Sequence, residues 1–225
     1  MTFSIIKARE QDIPFLVDSV INAEKLDTNI ISYCSLFNIS EMLLKEQLLE
    51  AFQEKMGIIV WDINQWIVAL DENGKAIAAL AYWMENNLAD SETQKFKYLS
   101  FLNKSNVNHP NFQVVFQALK KIQIARETNV IQLDFLYTKP QYQGKGIMSS
   151  LIKNVISRHP NNKFQIQVLQ CNEKAKRLYE KLGFIEDICK TEIGLKHNNI
   201  LADDTKFNLT YYGTKSNLFN TTRDI

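Results

Sequence analysis

The amino-acid sequence predicts a mixed α/β fold, and three observations carry that prediction. Segments with strand-like and helix-like apolar spacing alternate along most of the chain. A strongly apolar run, residues 130–138, is joined by a short glycine-containing turn directly to a helical pattern. The 225 residues, 45% of them hydrophobic and 23% charged, suffice for one sizeable core.

Taken in order, residues 2–8 read as a short strand. Asp12 stands where a helix N-cap belongs, with Pro14 in the first turn. Ile13, Leu16, Val17, Val20 and Ile21 follow at helical spacing. Asn38, with Glu41 three residues on, resembles a capping box. The helix it would start runs through Leu44, Leu48 and Phe52. Residues 65–70 and 76–84 read as strands joined through Asp71-Glu72-Asn73-Gly74, whose Asn-Gly pair favours a tight hairpin. Residues 85–129 interrupt the alternation. Phe112, Val115, Phe116, Leu119 and Ile122 form one apolar helical face after the break at Asn108-His109-Pro110-Asn111. The segment is too short for a core of its own and reads as a helical insertion. Residues 130–138 then read as a central strand by their apolar content, stopped by Pro140. Residues 146–158 read as a helix, 164–169 as a strand, and 173–182 as a helix closed by Gly183. Two last strands are expected at 185–193 and 206–212, and a flexible tail at 214–225. The expectation is a single domain over 1–225.

Composition narrows the function classes. The formal net charge is +1, without the basic excess that nucleic-acid or membrane-surface proteins carry, so neither partner is expected. Cys34, Cys171 and Cys189 are odd in number and widely spaced, which fits reduced thiols and no disulfide framework or zinc site. His109, His159 and His197 are not spaced for a metal, and none is expected. The N-terminus lacks an apolar signal region, and no apolar run reaches about 18 residues. A cytoplasmic protein is expected.

The informative stretch is Leu136-Tyr137-Thr138-Lys139-Pro140-Gln141-Tyr142-Gln143-Gly144-Lys145-Gly146-Ile147. An apolar strand ends, two glycines follow one residue apart, and a helix begins. Glycine lets backbone approach a ligand closely, and a helix start offers unpaired N–H groups with a positive dipole end. Together they suit a phosphate or pyrophosphate, with Lys145 adding charge. Taken alone, Gly-Lys-Gly is equally a plain strand-to-helix turn. A P-loop is excluded, because Gly146 follows Lys145 where Ser or Thr would be needed. A dinucleotide fingerprint is disfavoured too: Ser149 could serve as its small residue, but no acidic residue ends a following strand.

A second element follows about 25 residues later. The chain resembles the GNAT superfamily of acetyl-CoA-dependent N-acetyltransferases. Gln143-Gly144-Lys145-Gly146-Ile147 resembles that family's Q/R-x-x-G-x-G/A coenzyme loop, and the segment from Asn172 to Phe184 resembles its N-x-x-A-x-x-L-Y-x-K-x-G-F motif. The close match covers residues 130–186. Met148 departs from the usual Gly or Ala, and its side chain either crowds the coenzyme or points away. The resemblance implies a central twisted mixed sheet flanked by helices, with the insertion just before the coenzyme-binding strand. It implies acetyl-CoA as co-substrate and transfer of the acetyl group to a primary amine of a small molecule or peptide. Backbone N–H groups from Gln143 to Met148, including Lys145, would hold the pyrophosphate. Backbone groups of Leu136 and Thr138 would pair with the pantetheine arm, Asn172 would bond it from the other side, and Tyr179 would present its hydroxyl to the sulfur. Dimers are common in the family, so a homodimer is one expected assembly, although the sequence gives no interface.

The chemistry needs a neutral amine, an oxyanion donor and an acid for the leaving thiolate. Tyr179 suits the acid by position; its alternative is core packing beside Ala175. Asp134 is the first candidate base, because a carboxylate in an apolar strand is costly unless used or paired. Period-two alternation puts it on the same face as Gln132 and Leu136. Glu24 and a water chain stay open as alternatives, and a salt bridge is the plain reading of either carboxylate. Cys171, near the expected thioester, reads as a small buried residue and not a nucleophile, because no histidine is placed to activate it. Residues 24–60, with Tyr33, Phe37 and several acidic residues, are expected to form part of the acceptor pocket and would suit a cationic amine. The rival readings are a non-catalytic acyl-CoA-binding module on the same fold and a plain interaction domain.

Overall fold

The computed structural model describes residues 2–26, 28–53, 59–85, 94, 108 and 110–213. Most of residues 86–109 in the expected insertion, and the expected tail at 214–225, lie outside the described residues. Among the described residues the strands are β1 (Ser4–Lys7), β2 (Trp66–Leu70), β3 (Ala76–Met84), β4 (Ile131–Thr138), β5 (Lys163–Leu169), β6 (Ile185–Thr191) and β7 (Thr205–Tyr212). They form one sheet in the order β1-β2-β3-β4-β5-β7-β6. Neighbours are antiparallel except β4 and β5, which run parallel. A parallel pair needs a crossover, and a helix supplies it here.

The helices are α1 (Ile13–Lys25), α2 (Ser32–Phe37), α3 (Glu41–Gln53), α4 (Pro110–Ile122), α5 (Ile147–Arg158) and α6 (Glu173–Lys181). Helices α1 to α4 cover one face of the sheet and meet it through Leu16, Val20, Phe37, Leu48 and Phe112. The buried positions of α3, Leu44, Gln47, Leu48, Ala51 and Phe52, repeat at three- and four-residue spacing, so one stripe faces the core. Helices α5 and α6 cover the other face through Leu151, Ile152, Val155 and Tyr179. The mixed α/β sheet flanked by helices is the expected fold.

Several local expectations are corrected. Asn38 does not cap α3; it ends α2 in the left-handed region at φ 52°, and Ser40 accepts from the Leu43 N–H to start α3. Short polar side chains tolerate that conformation, which is why Asn suits a helix end as well as a start. The short helix α2 was not expected. Asp12 does occupy the N-cap position of α1, but its carboxylate turns back to the N–H and guanidinium of Arg9. The β2–β3 turn uses three residues between Asp71 and Lys75, with Gly74 at φ 73°, so Asn-Gly ends the turn instead of forming its two-residue centre.

Candidate active site

The parallel pairing of β4 with β5 stops early. It covers Ile131 to Leu133 against Phe164 to Ile166. Beyond it, β4 stays paired with β3 and β5 with β7. The two strands splay, and the facing edges Asp134 to Thr138 and Gln167 to Leu169 line a cleft of about 1120 Å³. A bulge accompanies the splay. The β3–β4 register shifts between Ala79 and Ala81, so Phe135 and Leu136 lie opposite the single residue Leu80. Phe135 sits at φ 51°. For a bulky residue that costs about 1–2 kcal/mol. The bulge also corrects the alternation reading. Gln132 and Asp134 do share a face, both bonded by Arg126, but Leu136 packs on the opposite face with the α5 and α6 core.

At the far end of β4, Gln143, Gly144, Gly146, Ile147 and Met148 line the cleft beneath the start of α5. Gly144 and Gly146 have φ 74° and 77°, and a Cβ added at either would meet nothing within 4 Å. Glycine is therefore required by backbone conformation, and the space above it is open for a ligand. The first backbone bond of α5 runs from the Ser150 N–H to the Gly146 carbonyl. The N–H groups of Ile147, Met148 and Ser149 precede it and have no intrahelical acceptor. These features fit a pyrophosphate. Met148 is partly buried and packs against the core of that face while also lining the cleft. Lys145 does not line the cleft; its ammonium lies over the Tyr142 ring, 5.3 Å from the centroid, as a cation–π pair. The Gln143 side chain instead links the turn, donating to the Thr138 carbonyl at 3.1 Å and accepting from Lys174 at 2.7 Å.

Across the cleft, Asn172 caps α6, its Oδ1 accepting from the Ala175 N–H at 3.2 Å. Its amide NH₂ is the group left to donate towards the cleft. Tyr179 lies two turns on, 5% exposed, packed against Phe184. Burial pushes its phenol well above the usual value, and the nearby Asp134 charge pushes it further the same way. Tyr179 therefore holds its proton at working pH, which suits an acid and not a base.

Asp134 lines the cleft but is fully engaged. Its Oδ2 accepts from Arg126 at 2.7 Å and its Oδ1 from the Phe135 N–H at 2.9 Å. Arg126, its side chain 6% exposed, follows α4 and lies over the Trp83 ring at 5.0 Å. The insertion thus lines the cleft through Leu119, Gln123 and Arg126. Glu24 lines the cleft and accepts from the Ser32 hydroxyl. Tyr33 lines it too, but Phe37 belongs to the core, and Glu41, Glu46 and Glu50 on α3 are absent from the lining. Among the described residues of 24–60, Glu24 is therefore the carboxylate that lines the cleft. Cys171 also lines the cleft and is exposed, not buried as expected, because it lies in the turn between β5 and α6. Sequence reasoning missed Arg126 and Ser32. Neither lies in a motif, and only the fold brings them to the cleft.

Among the described residues no group of His, Cys, Asp or Glu could hold a metal ion, and no helix is long and apolar enough to cross a membrane. The cleft lies between splayed parallel strands and is capped by a helix start. The sequence pattern of the acetyltransferase (GNAT) family matches residues 35–184. The chain belongs to that family and is an acyltransferase of the N-acetyltransferase kind. Solved structures share the fold: an N-acetyltransferase of Staphylococcus aureus Mu50 has 15% identity and a TM-score of 0.61 over 92% of this chain and 100% of that one. A phosphinothricin acetyltransferase of Sinorhizobium meliloti, solved with acetyl-CoA, has 16% identity and a TM-score of 0.54 over 96% of this chain and 92% of that one. The thialysine N-epsilon-acetyltransferase of Mus musculus is 37% identical over 65 residues, which span 28% of this chain and 38% of the mouse protein.

Proposed function

We propose that the protein binds acetyl-CoA in the β4–β5 cleft and transfers its acetyl group to a primary amine of a small molecule or peptide by direct attack in a ternary complex. The observation that carries this reading is the splay itself. One cleft joins an open glycine turn at a helix start to a buried, protonated tyrosine, with strand edges between them. The N–H groups from Gln143 to Met148 would hold the pyrophosphate, with Lys145 contributing backbone only. Leu136 and Thr138 would pair with the pantetheine arm as a strand pairs, and Asn172 would donate its amide from the α6 side. The amine nitrogen attacks the thioester carbon, the C–S bond breaks, and Tyr179 gives its proton to the departing sulfur. Asp134 takes the amine's proton in this reading, once the acceptor has loosened its pair with Arg126. Glu24 is the alternative base. The three free cysteines, two of them exposed, fit a reducing compartment, and we place the protein in the cytoplasm.

The Arg126–Asp134 pair favours one second reading, an acyl-CoA-binding module without turnover, because it occupies the expected base. Calorimetric titration with acetyl-CoA followed by a screen of primary amines separates the two. Binding with turnover supports the transferase. Binding without turnover on any amine leaves the sensing module, and absence of binding removes both.

A further inference from the structure

The bulge at Phe135 opens the cleft, yet nothing local favours it. Residues 130–138 are rich in strand formers, and position 135 holds neither glycine nor asparagine. In isolation this segment would run straight and continue pairing with β5. Tertiary contacts must hold it, and the structure shows which. The Phe135 ring, 3% exposed, stacks on Trp66 at 5.8 Å and 9° and on Trp61 at 5.7 Å and 26°. Phe52 meets both indoles edge-on, at 5.7 and 5.8 Å. Trp66 is on β2, two strands away, with Ala81 opposite it on β3 and Asp134 opposite Ala81 on β4. Small residues at Ala79 and Ala81 on that face let the Trp66 ring cross β3 to reach Phe135. The Trp66 indole N–H bonds the Val60 carbonyl at 3.3 Å, which ties the Trp61 turn to the same place. The Trp61 indole N–H is buried with no partner among the described residues, so ring contacts set its position.

We propose that Trp61 and Trp66 are positioning residues for the transfer site: they anchor the Phe135 ring, which holds β4 in its bulged form and the β4–β5 cleft open to the coenzyme arm. This rests on the acetyl-CoA reading of the cleft. Both tryptophans lie about 70 residues before the bulge and outside the glycine turn and the Asn172 to Phe184 segment. They act through Phe135 and reach no reacting atom themselves.

The test is calorimetric affinity for acetyl-CoA beside melting temperature, in wild type, Trp61→Leu, Trp61→Phe and Ala81→Val. Leu44→Ala, a buried truncation elsewhere on the same face, is the control for lost stability. The expected result is a loss of about tenfold or more in acetyl-CoA affinity for Trp61→Leu. Trp61→Phe keeps a flat ring against Phe135 and should stay within about threefold. Ala81→Val fills the path of the Trp66 ring and should lose affinity as Trp61→Leu does, which keeps the test decisive if Trp61→Leu fails to fold. Leu44→Ala should melt lower and bind normally. Wild-type affinity in both folded Trp61→Leu and Ala81→Val, with wild type binding well, overturns the clamp alone. No binding by wild type overturns the reading of the cleft and the clamp with it.

Discussion

Replacing Tyr179 with phenylalanine removes one hydroxyl and leaves the ring packed on Phe184. The size of the effect follows from the leaving group. A thiol has a pKa of about 8.5, so at pH 7 protonating the departing thiolate is worth about 1.5 units, or about 2 kcal/mol. That corresponds to about 30-fold in rate. General acids at poorer leaving groups contribute about 10²- to 10⁴-fold, so the lower value follows from sulfur being a good one. Burial keeps Tyr179 protonated, and its hydroxyl makes no hydrogen bond within the described residues. Losing it therefore leaves no protein group unpaired, and the melting temperature should stay within about 2 °C. A continuous assay of released coenzyme thiol, at saturating acetyl-CoA and amine, should show kcat down about 10- to 30-fold. Acetyl-CoA affinity should be nearly unchanged. A kcat within twofold of wild type would remove Tyr179 from the mechanism.

Three further outcomes follow. Gly144→Glu puts a side chain and a negative charge on a residue at φ 74° facing the pyrophosphate seat, and calorimetry should find acetyl-CoA binding abolished. Asn172→Ala removes the α6 cap, so a melting scan should show a loss of about 1 kcal/mol, and acetyl-CoA should bind more weakly as its donor disappears. Tyr179 also gives stability a pH dependence. The unfolded phenol ionises near pH 10, whereas the folded one holds its proton higher. Above pH 10 the unfolded state binds fewer protons, so stability falls as pH rises. Denaturant titrations from pH 9 to 11 should show a smaller fall in Tyr179→Phe than in wild type.

The parts of the fold legible in the sequence were those with a period. Helix α5 shows its face through Ile147, Leu151, Ile152 and Val155, all buried. The strand-turn-helix at 131–158 was legible because two glycines and a proline punctuate it. The bulge was not, because Gln132 and Asp134 alternate with apolar neighbours as a regular strand would, and neither Phe135 nor Leu136 is a residue that signals an extra position. That is why Leu136 was assigned to the wrong face. Asn38 was misread because one side chain suits either end of a helix. Arg126 was invisible for another reason. Its partner Asp134 lies eight residues on, in another element, and ion pairs set by folding leave no local signature.

The central claim is that the splayed strands and the glycine turn form one acetyl-CoA site. Calorimetric titration of the purified protein with acetyl-CoA, with adenosine diphosphate as control, tests it most directly. Micromolar binding of acetyl-CoA, lost in Gly144→Glu and not matched by the diphosphate, is the predicted result. No heat of binding with acetyl-CoA in the wild-type protein would contradict it.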